Sequence, residues 1–240
     1  MYMKYINGVS LFEFIDLTTY GCTKEGKLNA TKTKRSGLTE NMLKNIFYQI
    51  AVAVNAMHNI SDSTDSSVKG EPIIYRDLNP NNVMITLENG KLKVYLIDFG
   101  ISCQSTKSST QLGTPVYRAP ETEAKACTKE LYYGKEVDIF SFGATLYTCL
   151  TGLLPNENTL IIPSGVSVDL VYLLESCLQE FPKNRMESMA EILRHSFFAN
   201  TEKEYTNCDV QISKKSVRFV ECTKVLSVLK ECNLVPKYNA

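Results

Sequence analysis

The chain has 240 residues, with 26 Lys and Arg against 26 Asp and Glu, and 44% of its residues are hydrophobic. That length and composition suffice for one good-sized domain with a proper core. The charge balance excludes a general binder of nucleic acid or anionic membrane, which would carry a basic excess.

In chain order, residues 1–6 are apolar and aromatic and read as a strand that stops at Asn7-Gly8. They carry no basic stretch followed by an apolar run, so no secretory signal is expected. Leu11 to Leu17 predicts a short helix. Residues 18–37 are polar, with Gly21, Gly26, Gly37 and a cluster of Lys32, Lys34 and Arg35, and read as an exposed loop. Thr39 is a helix N-cap, with Glu40 in the first turn where the helix dipole favours it. Leu43, Ile46, Phe47, Ile50, Val54 and Met57 then recur at the spacing of an amphipathic helix. Residues 61–71 are polar and low in complexity, a mobile insertion.

Val83 to Ile85 and Leu92 to Ile97 are apolar runs on either side of Asn89-Gly90. Asn-Gly supplies the positive φ angles of a tight turn, so a β-hairpin is predicted. From residue 136 onward helices are predicted over 137–151, 168–180 and 187–194, with Pro182 separating the last two. Ile139 to Leu154 is the most apolar stretch. It falls short of the roughly 20 residues a bilayer needs and is read as a buried helix. In the tail, Asp209 to Val220 has an extended pattern and Glu221 to Cys232 a weak helical one; neither is assigned without a partner surface. The eight cysteines contain no Cys-x-x-Cys pair, which argues against a zinc site. Reduced thiols in an intracellular, cytoplasmic protein are expected.

The chemistry-bearing residues lie between 75 and 100. Asp77 stands five residues before Asn82, in a loop after a helix. A second acid, Asp98, follows a hairpin strand and leads into Phe99-Gly100. Phosphoryl transfer needs such a set: one carboxylate to orient the attacking hydroxyl, and hard oxygen ligands to hold Mg²⁺ on the phosphates.

On these residues the chain resembles the Ser/Thr protein kinases. Tyr75-Arg76-Asp77 with Asn82 is similar to their catalytic loop and Asp98-Phe99-Gly100 to their magnesium motif. Gly113 to Glu121 resembles the end of the activation segment, and Asp138 to Gly143 the start of the long buried helix. Arg185 matches the arginine that pairs with the closing glutamate, here Glu121, and His195 to Phe198 resembles the last helix. Met1 to Leu11 is similar to the fifth strand and hinge, with Met3 at the gatekeeper position.

The resemblance covers residues 1–198 and implies a mainly α fold with a small β-hairpin region, the large lobe of a kinase. The insertions 18–37 and 61–71 and a C-terminal extension, 199–240, lie outside the shared pattern. The implied activity is transfer of phosphate from ATP, with Mg²⁺, to Ser or Thr of a protein substrate. Asp77 would be the catalytic base or hydroxyl-orienting residue, with Asn79 beside it. Asn82 and Asp98 would hold metal and nucleotide, and Met3, Lys4, Ile6 and Ser10 would line the adenine side. Thr114 would lie in the loop that receives the residue after the acceptor. Thr110, four residues earlier, would be the activation-loop phosphosite facing Arg76, with Ser108 and Ser109 as near alternatives. Arg76, Glu121, Asp138 and Arg185 would be structural, and His58 and His195 are taken as helix-end packing residues.

The pattern departs from the family in two places. Asn79 stands where the family usually has lysine, which predicts weaker charge stabilisation. Upstream of the fifth strand there is no glycine-rich loop, strand lysine or helix glutamate, and Lys4 stands where the hinge usually has Glu. A separate or missing small lobe, and a poor kinase in the chain alone, are therefore expected. The alternative is an inactive, kinase-derived binding or regulatory module.

Overall fold

A computed structural model describes residues 6–20, 37–60, 70–88, 91–123, 132–155, 160–199 and 201, with only the backbone considered for 17–20. The strand expected at Met1 to Ile6 lies outside this set except for its last residue. So do most of both insertions, the Asn89-Gly90 turn and the C-terminal extension.

The longest helix, α2 (Glu40–His58), begins where the sequence places its cap. The Thr39 hydroxyl accepts from the Met42 amide at 3.5 Å. Its apolar face is the centre of the core: Leu43, Ile46, Phe47, Ile50 and Val54 are fully buried. Helix α3 (Glu136–Thr151) lies against it, the Phe47 and Phe142 rings meeting edge to face at 5.3 Å. Two further helices complete this layer, α4 (Val168–Cys177) and the short α5 (Met189–Leu193). A glutamate ties the layer together, as Glu40 Oε1 accepts from the Ser167 amide at the head of α4 at 2.6 Å.

Both distal helices are shorter than their sequence pattern. The run 168–180 stops at Cys177: the Ser176 carbonyl, which a continued helix would offer to the Glu180 amide, accepts from Met186 N at 3.2 Å. Beyond the helix the carbonyls of Gln179 and Glu180 accept from the Arg185 guanidinium at 2.7 and 3.0 Å. The run 187–194 starts at Met189, since Ser188 turns its hydroxyl onto the Glu191 amide and caps there. At the other end, α1 (Leu11–Tyr20) runs three residues further than Leu17. Ser10 and Glu13 form a capping box, each side chain accepting from the other's amide at 3.1 and 2.8 Å.

The hairpin strands are β3 (Val83–Glu88) and β4 (Lys91–Leu96), in register from Val83 opposite Leu96 to Glu88 opposite Lys91. A two-residue strand, β1 (Val9–Ser10), pairs antiparallel with β3 and gives the order β1-β3-β4. The open edge of β4 is covered by a side chain of α2. Gln49 donates to Leu92 O at 3.1 Å and accepts from Val94 N at 3.2 Å, acting as a short surrogate strand. A second small pair joins β2 (Ile73–Ile74) to β5 (Cys103–Gln104). The architecture is α+β: a helical layer with small antiparallel sheets above it. The β2–β5 pair joins the two ends of the segment 75–102, which contains the β3–β4 hairpin and the chemistry-bearing residues.

Candidate active site

The segment 75–78 has no regular structure of its own and is held by side chains of α3. Asp138, fully buried, accepts from Tyr75 N and Arg76 N, both at 2.8 Å. Thr145 donates to Leu78 O at 3.2 Å, and Ser141 donates to Tyr117 O at 2.7 Å. Asp138, Ser141 and Thr145 are spaced at helical intervals, so one face of an otherwise apolar helix carries a polar stripe. Of the three, sequence reasoning singles out Asp138 alone; it misses Ser141 and Thr145, and the signal that finds them is their helical spacing from Asp138.

His58 is more than a packing residue. Its Nε2 lies 2.8 Å from Asp138 Oδ2, with both side chains almost fully buried. Asp138 therefore joins the end of α2, the loop and α3. His195 caps a final 3-10 turn, its Nδ1 accepting from Phe197 N at 3.2 Å, and burial lowers its pKa.

Two residues of this region, Arg76 (φ 70°) and Asp98 (φ 58°), adopt the left-handed backbone conformation that non-glycine residues avoid. Each costs on the order of 1–3 kcal/mol and persists because its surroundings over-determine it. Asp138 fixes the first. For the second, Ile97 N bonds Asn82 O at 2.9 Å, the Tyr75 hydroxyl donates to Ile97 O, and Gly100 N returns to Asp98 Oδ1 at 3.1 Å. The Tyr75 ring packs on Phe99, with centroids 5.2 Å apart. Burial, and then the negative charges of Asp77, Asp98 and Asp138, push the Tyr75 hydroxyl well above its ordinary pKa. It stays a neutral donor.

Asp77 is held on both oxygens. Oδ2 accepts from Asn82 Nδ2 at 2.7 Å. Oδ1 accepts from Thr114 N at 3.0 Å, the Thr114 hydroxyl at 2.8 Å and Asn79 Nδ2 at 3.1 Å. Asn79 is itself buried. Its amide also reaches Asp77 O and Thr114 Oγ1, and its Oδ1 caps the 3-10 turn Pro80–Asn82 through Asn81 N. Gly113 makes the approach of Thr114 possible. Its φ is 104°, and a Cβ there would lie 2.5 Å from Arg76 O.

The structure thus brings Asp77, Asn79, Asn82 and Thr114 into one hydrogen-bonded group, with Asp98 one residue beyond the Ile97–Asn82 ladder bond. Asp98 is exposed, while Asn82 is half-buried. Asn82 commits its NH₂ to Asp77, so its carbonyl oxygen is the atom that can face a cation. Arg76 extends the group outward to Ser108 and Thr110, at 2.8 and 2.7 Å. Arg185 forks onto Glu121 at 2.5 and 2.7 Å and lies 5.0 Å above the Phe140 ring. Of the expected adenine-side residues, Met3 and Lys4 lie outside the described residues. Ile6 is half-buried, and Ser10 is engaged in the capping box. Among the described residues no helix is long and apolar enough to cross a membrane.

A carboxylate fixed beside an amide and an exposed second carboxylate is the arrangement that phosphoryl transfer uses, and sequence comparison agrees. The protein kinase domain family matches residues 2–198, and the chain belongs to that family, on its Ser/Thr side. Its relatives include the RAC family serine/threonine-protein kinase homolog of Dictyostelium discoideum, 30% identical over 84% of this chain. Maternal embryonic leucine zipper kinase of Xenopus tropicalis is 30% identical over 97% of it. The ovarian-specific serine/threonine-protein kinase Lok of Drosophila melanogaster is 36% identical over 55%. The chain spans 41%, 33% and 25% of the lengths of these three relatives.

Proposed function

We propose that this protein is a serine/threonine kinase that transfers the terminal phosphate of ATP to a hydroxyl of a protein substrate. The observation that carries the reading is the fixed Asp77 carboxylate. Three donor groups on Oδ1 and one on Oδ2 set its plane. A carboxylate oriented in this way takes the acceptor hydroxyl as its partner and receives its proton as the phosphate is transferred. Positioning of this kind supplies most of the catalysis in phosphoryl transfer.

Magnesium fits the Asn82 carbonyl oxygen and the Asp98 carboxylate, both hard oxygen donors. When bound there it would neutralise charge on the phosphate oxygens. Thr114 links the catalytic carboxylate to the activation segment, so the protein acceptor and Asp77 are set by one contact. Thr110 is the proposed phosphosite, exposed and already within reach of Arg76. Among the described residues Cys103, Cys149 and Cys177 are unpaired thiols, and a reducing, cytoplasmic setting is part of the proposal.

A second reading, an inactive kinase-derived module, is favoured by one observation. Asn79 replaces a cation with a neutral amide that is turned onto Asp77 and Thr114. A phosphate-transfer assay on the full-length gene product, with Mg-ATP and a basic protein acceptor, separates the two. The kinase reading expects turnover that falls by at least about 10³-fold in Asp77→Asn, with thermal stability retained. Equal turnover in the parent and Asp77→Asn, or none in either, would favour the module.

A further inference from the structure

We propose that Tyr133 is a positioning residue that docks the activation segment before any phosphate is added. In this arrangement the hydroxyls of Ser108, Thr110 and Tyr133 meet the Arg76 guanidinium in place of an anion. The inference rests on the kinase reading, and its test is chosen so that the two can fail separately.

Arg76 is half-buried, and a guanidinium without acceptors there would be costly. Every one of its nitrogens has an acceptor that is neutral. Nε and Nη2 donate to Ile101 O. Nη1 is within reach of Ser108 Oγ at 2.8 Å, Thr110 Oγ1 at 2.7 Å and the Tyr133 hydroxyl at 3.4 Å. The two smaller hydroxyls also meet each other at 3.1 Å. The arginine is therefore satisfied without phosphate.

Tyr133 closes the cluster from the far side. Its main chain forms a reciprocal pair with Ser108, N to O at 2.8 Å in both directions, and its hydroxyl donates to Thr110 O. The ring is 3% exposed and packs with Ile74, Ala119 and Val137, so its position is set by the core next to α3. The segment 108–114 is thus gripped along its length. Ser108 and Thr110 are held by Tyr133 and Arg76, Gly113 lies against Arg76 O, and Thr114 is on the Asp77 carboxylate. Loosening the Tyr133 end lets the segment slide, and the first contact to suffer is Thr114 to Asp77.

Tyr133→Phe keeps the ring and removes only the hydroxyl. Ser108→Ala removes one acceptor of Arg76 and leaves the Tyr133 ring untouched. The measurement is amide hydrogen exchange and steady-state kinetics on the phosphatase-treated full-length protein. Each variant should speed exchange across residues 108–114 by about three- to ten-fold, the worth of one hydrogen bond, with α3 unchanged. The KM for protein acceptor should rise or kcat fall by a similar factor, while the KM for ATP stays put. Phosphate on Thr110 should shrink the deficit, because charge-assisted bonds to Arg76 are stronger than neutral ones. Unchanged exchange over 108–114 in both variants overturns the proposal. So does an equal speeding in α3, which would mean lost packing alone. If the parent shows no turnover, the kinase reading falls and the exchange result still decides the role of Tyr133.

Discussion

Arg185 shows how much a single side chain can organise. It has no exposed side-chain surface and meets Glu121 with two parallel bonds, while the Gln179, Glu180 and Glu136 carbonyls take its remaining donors. Removing it would leave the Glu121 carboxylate, 15% exposed, without its cation, and take a donor from the Gln179, Glu180 and Glu136 carbonyls. Arg185→Ala should cost ~3–5 kcal/mol, the usual penalty for breaking one side of a buried pair. Urea unfolding would read this as a lower midpoint. A shift below about 1 kcal/mol would mean that the fork is a surface-like ion pair of little worth. Asn79 is the opposite case: chemically modest, yet in contact with Asp77, Thr114 and Asn81 together. Its neutrality was visible in the sequence, but its placement as a brace for the Asp77 carboxylate was not.

At the scale of elements, α3 is both scaffold and clamp. One face meets the α2 core, the polar stripe of Asp138, Ser141 and Thr145 holds loop backbone, and a third face packs on α4. That last contact is tight at Gly143, where an added Cβ would lie 2.6 Å from Cys177 Cβ and 3.1 Å from Leu178 Cγ. These atoms belong to a packed helix and its C-terminus and cannot swing away. Gly143→Ala should therefore destabilise the protein by ~1–3 kcal/mol through overpacking, although alanine is the better helix former by roughly 1 kcal/mol. Thermal unfolding decides the sign: a higher midpoint would show that α4 shifts freely. The hairpin strands, the cap at Thr39 and the existence of the five helices among the described residues could be read from local pattern. The two-residue strands β1, β2 and β5 could not, because so short a run has no periodicity. Helix ends were misjudged at α4, where Met186 N takes the Ser176 carbonyl, and at α5, where Ser188 caps two residues late.

For the whole molecule, the buried thiols make stability depend on alkali. Burial pushes Cys177 from its ordinary 9.0 up to about 12, with Arg185 lowering it only in part, and burial raises Cys149 well above its usual value. In the unfolded chain these thiols lose their protons near 9.0, while the folded protein still holds them. Between about pH 9 and 12 the unfolded state binds fewer protons, so stability is intact below this window and is lost as pH rises through it. Each thiol contributes a slope of up to ~1.4 kcal/mol per pH unit. Urea midpoints compared on either side of about pH 9 should show the fall, and Cys177→Ala should have a shallower slope whatever its starting stability. Equal slopes in the two proteins would show that Cys177 does not contribute.

What the sequence determined by itself was whatever is written locally or in fixed order. The spacing of Asp77, Asn82 and Asp98 pointed to phosphoryl transfer, the apolar periodicity of α2 named its buried face, and the order of motifs named the family. What only the tertiary structure decided involves partners far apart in the chain. His58 bonds Asp138 across 80 positions, Arg76 meets Thr110 across 34, and Thr114 meets Asp77 across 37. Such pairs leave no local signal, because nothing near either residue depends on the other until the core brings them together. The two left-handed residues, Arg76 and Asp98, have the same origin: strain of this kind is held only by contacts that the assembled fold provides.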